Sequence, residues 1–290
     1  MHILITSDCA ETIERAVDYA MFFAGDASIT LLHAYQNQDD RKEMINLLDH
    51  LAEKIPLETN CPLKVSLQPG KSEEVVLDEI QSRDYDLVIF GIHLHPSWHN
   101  LRPKHVARDI AKRISVPLLV VFPQWDSLQR ILVWTEGKDP DELALHLTGR
   151  LASEVEVECT VLHVMSQVPL RADADMEDLE RDADALMEHK SKEGEYFEEA
   201  LEILEGAGVP KKRCEVLVRH GLTVNEIIKE SNSGDFDLIV IGALRVSAGK
   251  SWHELRERVQ EDIADRVLTE ARRPVLIARK PDQALDWKDM

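Results

Sequence analysis

Four imidazoles stand within thirteen residues in GIHLHPSWHNLRPKH, at His93, His95, His99 and His105. Histidine at that density is how many zinc sites begin. Such a set usually adds thiolates or carboxylates, and here the first carboxylate after the cluster is Asp109. Pro96 and Pro103 mark the segment as a loop, where histidine needs no ligand. No metal site is expected. A second chemistry-bearing stretch is SAGKSWH, in which Gly249, Lys250 and Ser251 set open backbone, an ammonium and a hydroxyl side by side. A phosphate-cradling GxxxxGK[ST] loop needs glycine at position 244, which is Leu244. Lys250 can still meet an anion at a helix start. No serine sits in a GxSxG turn and no Gly-rich dinucleotide fingerprint follows a strand, so no catalytic residue is assigned.

The histidine loop and the lysine loop share a hexapeptide: SWHNLR at 97–102 and SWHELR at 251–256. In the second copy Ser251 and Glu254 form the S-x-x-E capping box, which opens a helix running through DIADRVL. Trp252 and Arg256 are four apart and share a helix face. In the first copy Asn100 replaces the glutamate, and the helix restarts at Pro103, a residue suited to a first turn. The hexapeptide reads as a helix-entry device copied by duplication.

The elements that must hold these loops recur throughout the chain. HILITSDC pairs with RILVWTEG, SITLLHAY with ECTVLHVM, LKVSLQPG with CEVLVRHG, and DYDLVIFG with DFDLIVIG. ISVPLLVVF and ARRPVLIAR complete two sets of five. The strands are short, rich in Val, Ile and Leu, and nearly continuously apolar, which suits parallel strands covered on both faces. Between them run amphipathic stretches such as Ile13, Val17, Ala20 and Met21. The fold class is therefore α/β: two tandem Rossmann-like domains, each an open five-stranded parallel sheet with helices on both faces. The expected domains are 1–124 and 129–281, joined through FPQWDSLQR, with an acidic helical extension around 170–197 in the second. That extension reads as a solvated helix or as a docking surface for a basic partner. Glycine turns before Ser72 and Thr223 predict that these two residues cap the next helices, with Glu226 completing a capping box.

A formal charge of −20 over 290 residues opposes general binding to nucleic acid or anionic lipid. No apolar run reaches the ~20 residues that span a bilayer, the N-terminus lacks a signal peptide pattern, and the four cysteines are scattered. A cytoplasmic location is expected, with no nucleic acid and no membrane as partner. His33 and His163, matched in the second strands, read as hydrogen-bonded residues near a pocket rim.

Five segments in this order, written twice, resemble the universal stress protein family in its tandem form. The resemblance implies a pocket at the carboxyl ends of the strands, which in many members takes ATP. Asp8 matches the family's first-strand aspartate, which contacts the nucleoside, and Glu136 with Gly137 takes that position in the second half. The family's phosphate loop runs Gly, two residues, Gly, nine residues, Gly-Ser or Gly-Thr. Its first glycine is kept as Gly91 and Gly242. Its second falls at Leu94 and Arg245, so it is missing in both halves. Arg245 either pairs with a ligand phosphate or pairs with Glu261 or Asp262 and plugs the loop.

The residues implied for a pocket are Asp8, Gly91, Glu136, Gly137, Gly242, Arg245, Gly249, Lys250 and Ser251. The expectation is a non-enzymatic stress-response or regulatory module with a degenerate nucleotide loop, acting through a ligand or an unidentified protein partner. ATP, ADP or AMP in the second domain is the alternative, and weak nucleotide hydrolysis a further one. No cofactor is required. The resemblance also implies an internal pseudo-dimer through the fifth strands, and a homodimer of whole chains.

Overall fold

The computed structural model describes the chain except for residues 8–9, 24–26, 59–60, 93–101, 124–126, 137–139, 166–186, 188–191, 244–261 and 280–290. The described residues form two compact units, Met1–Asp126 and Ser127–Arg279. The first contains β1 (His2–Ser7), α1 (Ala10–Met21), β2 (Ser28–Tyr35), α2 (Gln38–Glu58), β3 (Leu63–Pro69) and α3 (Ser72–Ser82). β4 (Leu87–Gly91), α4 (Arg102–Arg113) and β5 (Leu118–Val121) complete it. The second opens with β6 (Arg130–Thr135), α5 (Pro140–Glu154), β7 (Glu158–Met165) and α6 (Lys192–Gly206). It continues with β8 (Cys214–His220), α7 (Thr223–Ser233), β9 (Leu238–Gly242), α8 (262–270) and β10 (Val275–Ala278).

Within the first unit the strand order is β3-β2-β1-β4-β5, and within the second β8-β7-β6-β9-β10, all parallel. The continuous apolar runs explain this. Ile3, Leu4 and Ile5 are fully buried, as are Ile131, Leu132 and Val133. Neither face of these first strands meets water, so the helices must cover both. α1 lies on β1 and β4 and beside α2, while α3 lies over β2 and beside α4. Ile13, Val17 and Ala20 are buried, as their helical spacing predicts.

The motif DYD or DFD before the fourth strand ties down the amino end of each sheet. Asp86 Oδ2 accepts from the His2 backbone N–H at 2.6 Å. Asp237 Oδ2 accepts from the backbone N–H groups of Gln129 and Arg130 at 2.7 and 3.0 Å. The first residue of each leading strand then covers the motif's aromatic ring. His2 lies 4.2 Å from Tyr85, and the Arg130 guanidinium 4.7 Å from Phe236. The same knot is thus built twice with different residues. The Tyr85 hydroxyl, which its phenylalanine counterpart lacks, donates to buried Glu79 at 2.8 Å, and burial pushes its phenol up to about 12.

Two sequence expectations are corrected at the third helices. Lys71 and Leu222 are the N-caps of α3 and α7, and neither helix has a side-chain cap hydrogen bond. Ser72 and Thr223 are the first helical residues instead. The reason lies in the turn glycines. Gly70 and Gly221 take φ of 145° and 151°, which lets the chain reverse one residue earlier than the hydroxyl pattern implies. The Glu226 carboxylate folds back against Gly221, where an added Cβ would sit 2.9 Å from its Oε1.

Candidate functional site

In each unit the chain leaves the first strand in one direction and returns on its other side. The topological switch point lies between β1 and β4 in the first unit, and between β6 and β9 in the second. Open parallel sheets bind ligands outside the carboxyl ends of the strands at such a point. The two switch points are built differently.

In the first unit Ser7 and Gly91 are register partners at the carboxyl ends of β1 and β4. Buried Thr12, in the first turn of α1, donates to Ser7 Oγ at 3.1 Å. A Cβ on Gly91 would lie 2.7 Å from the Thr12 carbonyl oxygen and 3.0 Å from its Cβ. Gly91 is therefore small because α1 packs onto the end of β4. Directly after β5 stands fully buried Phe122, and Ile92 N–H continues the ladder to the Val121 carbonyl at 2.9 Å.

In the second unit Trp134 pairs in register with Ile241, and Thr135 and Gly242 come next. The Trp134 side chain is 2% exposed and Thr135 is fully buried, yet Trp134 Nε1 and Thr135 Oγ1 have no hydrogen-bond partner among the described residues. At the position matching Trp134 in the first unit, Thr6 Oγ1 is likewise without a hydrogen-bond partner among the described residues. Half-buried Glu136 follows Thr135 directly. After β10 stands Arg279, 2% exposed, where the first unit has Phe122. Ala243 N–H bonds to the Ala278 carbonyl at 2.9 Å, so the ladder ends alike in both units. The second switch point is thus the more polar of the two.

His163 stands behind this site, on β7. Its Nδ1 donates to the Thr135 carbonyl at 3.1 Å, and its ring lies edge-on to Phe197 of α6 at 5.6 Å. His33, 2% exposed, occupies the matching place on β2. Both lie within their strands, two residues before the ends.

Of the pocket residues expected from the sequence, the structure describes Gly91, Glu136 and Gly242. Asp8, Gly137, Arg245, Gly249, Lys250 and Ser251 lie outside the described residues, together with both hexapeptides except Arg102. So do His93, His95 and His99. Among the described residues no group of three or more His, Cys, Asp or Glu is placed to hold a metal.

Asp109 is the eighth residue of α4, which begins at Arg102 as the restart near Pro103 predicts, and its side chain is exposed. Asp262 opens the described part of α8, so the two DIA segments differ in place. Five residues of α4 remain from Asp109, but nine of α8 from Asp262.

A groove of about 480 Å³, not foreseen in the sequence, opens at the carboxyl ends of β2 and β3 between Tyr35, Asn37, Pro69 and Lys71. The Arg41 guanidinium lies 5.7 Å from the Tyr35 ring. The paired aromatic and cation at positions 35 and 41 were the available signal.

Residues 127–279, more than half of the chain, match the model of the universal stress protein family. A universal stress protein from Archaeoglobus fulgidus DSM 4304 is 13% identical, over 97% of this chain and 97% of its own, with a TM-score of 0.59. A functionally unknown protein from Pseudomonas aeruginosa PAO1 is 16% identical over 97% and 92%, with a TM-score of 0.62. These likenesses concern the fold. A universal stress protein family protein from Arabidopsis thaliana, solved with AMP bound, is 14% identical over 42% of this chain and 91% of its own. Its TM-score of 0.32 is too low to carry residue correspondences. No curated protein matches the chain.

Proposed function

The chain belongs to the universal stress protein family, and from that premise we propose that it is a non-catalytic regulatory module whose second unit is the ligand-responsive half. The ligand class is an adenine nucleotide or a related anionic compound. The observation that carries this reading is the pair of buried groups at the second switch point, Trp134 Nε1 and Thr135 Oγ1, that have no hydrogen-bond partner among the described residues. Buried polar groups are nearly always bonded, and leaving one unmet costs about 1–3 kcal/mol. An indole N–H and a hydroxyl offer donors to a phosphate, ribose or base acceptor. Glu136 takes the place of the family's nucleoside-contacting carboxylate. In the first unit the matching hydroxyl, Ser7, is engaged by Thr12.

Calorimetric titration of the full chain with ATP, ADP and AMP tests the proposal. Binding below millimolar for at least one of them is the expected result. Loss of that binding in Lys250→Ala places the phosphate end at the Gly249–Ser251 loop. Retention in Lys250→Ala, with loss in Glu136→Ala, places the recognition at the nucleoside end. No binding of any of the three would overturn the nucleotide reading.

A further inference from the structure

Cys159 and Cys214 occupy directly paired register positions on neighbouring parallel strands, near the amino ends of β7 and β8. This is the opposite end of the sheet from the switch point. Paired residues in a sheet project to the same face, and the strand spacing sets their Cα atoms about 4.8 Å apart. That separation lies within the range of roughly 4.4–6.8 Å that a disulfide bridges. Both thiols are free in the structure. Cys159 is 1% exposed, whereas Cys214 is half-buried on β8, the last strand of its unit's order.

The first unit supplies a control for packing. The same two register positions hold Ile29 and Leu63, also paired across neighbouring strands. An apolar pair therefore satisfies this place in the fold, and sulfur is not required for it. The second unit carries thiols at both members of the pair.

We propose that Cys159 and Cys214 form a reversible redox clip, oxidised by a peroxide to a cross-strand disulfide that fixes β8 to β7. The more accessible Cys214 sulfur attacks a peroxide oxygen. The O–O bond breaks, water leaves, and Cys214 becomes a sulfenic acid. The Cys159 sulfur then attacks the Cys214 sulfur and expels its hydroxyl as a second water. Two thiols lose two protons and two electrons, and hydrogen peroxide leaves as two waters. A dithiol reductant reverses the step by exchange. Closing the bond draws the Cβ atoms together by about 1 Å from the strand spacing. A terminal strand, bonded on one side within its unit, can give that locally. The clip closes the base of the excursion 160–213, which contains α6 and the acidic segment between β7 and α6.

The test uses the full chain carrying Cys9→Ser and Cys61→Ser, so that only this pair remains. Hydrogen peroxide is expected to lower the intact mass by about 2 Da, the mass of two hydrogens, and to remove both thiols from alkylation. A peptide linking Cys159 to Cys214 is expected on digestion without reductant. Amide exchange in β8 should slow at least tenfold and recover with dithiothreitol. Adding Cys159→Ile, the residue type of the first unit, should abolish the mass loss and stop Cys214 at the sulfenic acid. Oxidation of Cys214 to the sulfinic acid while Cys159 stays a thiol would overturn the proposal. So would two unreacted thiols at a peroxide concentration that oxidises the urea-unfolded chain.

Discussion

The two units are alike at the amino ends of their sheets and unlike at the carboxyl ends. At the amino end Asp86 and Asp237 each hold the backbone that enters the leading strand, and His2 and Arg130 each cover an aromatic ring. The residues differ but the device is the same. At the carboxyl end the first unit satisfies Ser7 with Thr12 and follows its fifth strand with Phe122. The second leaves Trp134 Nε1 and Thr135 Oγ1 unmet among the described residues and follows its fifth strand with Arg279. Duplication has kept what folding demands twice over, and has let the crevices diverge. A shared feature in this chain is therefore evidence of structure, and a difference at the switch point is where function is to be sought.

The strongest way to break that comparison is to cut the shared knots. Asp237→Ala removes an acceptor of two backbone N–H bonds, at about 1.5–3 kcal/mol for hydrogen bonds to a charged group. Urea unfolding should show the second unit destabilised by about 3 kcal/mol, and Asp86→Ala the first by about 2. Neither should change ligand affinity in chains that remain folded. Gly91→Ala comes next. Its Cβ meets Thr12 backbone at 2.7 Å, and overpacking of this kind costs about 1–3 kcal/mol. The first unit should lose about 2 kcal/mol by the same assay, whether or not nucleotide is present. If nucleotide binding fell instead, with stability unchanged, Gly91 would be a ligand contact and the contrast between crevices would disappear.

A smaller effect separates the matched register positions of Cys159 and Ile29 by pH. Burial pushes the Cys159 thiol from 9.0 up to about 12, and the neighbouring Cys214 adds to the rise. The folded state therefore holds its proton where the unfolded chain releases it. This contribution to stability is present below pH 9 and is lost as pH climbs toward 12. Thermal unfolding of the second unit should weaken across that window, and Cys159→Ala should flatten the decline. Ile29, the matched residue of the first unit, does not titrate and contributes nothing there.

Much of the fold was readable because the strands are continuous apolar runs repeated in order, and burial on both faces leaves such runs few alternatives. Ile13, Val17 and Ala20 sort to the buried side of α1 for the same reason. Details governed by backbone geometry were not readable. Ser72 and Thr223 have the right chemistry for caps, but the positive φ of Gly70 and Gly221 moves the cap to the preceding residue. Trp134 and Thr135 do not stand out in the sequence, because RILVWT reads simply as a strand. Their unmet donors emerge only when the neighbours are in place. A polar pair at a strand end, directly before Glu136, was the signal in the sequence.

The asymmetry of the crevices is tested most directly by comparing nucleotide binding in Thr135→Val and Ser7→Ala against the unaltered chain by calorimetry. Thr135→Val removes only the unpartnered hydroxyl. It should weaken binding about tenfold, near 1.4 kcal/mol, without lowering stability, because no protein hydrogen bond is lost. Ser7→Ala should cost the first unit up to about 1 kcal/mol through its lost bond to Thr12 and leave binding unchanged. Unchanged binding in Thr135→Val, with loss in Ser7→Ala, would put the ligand in the first unit and contradict the account.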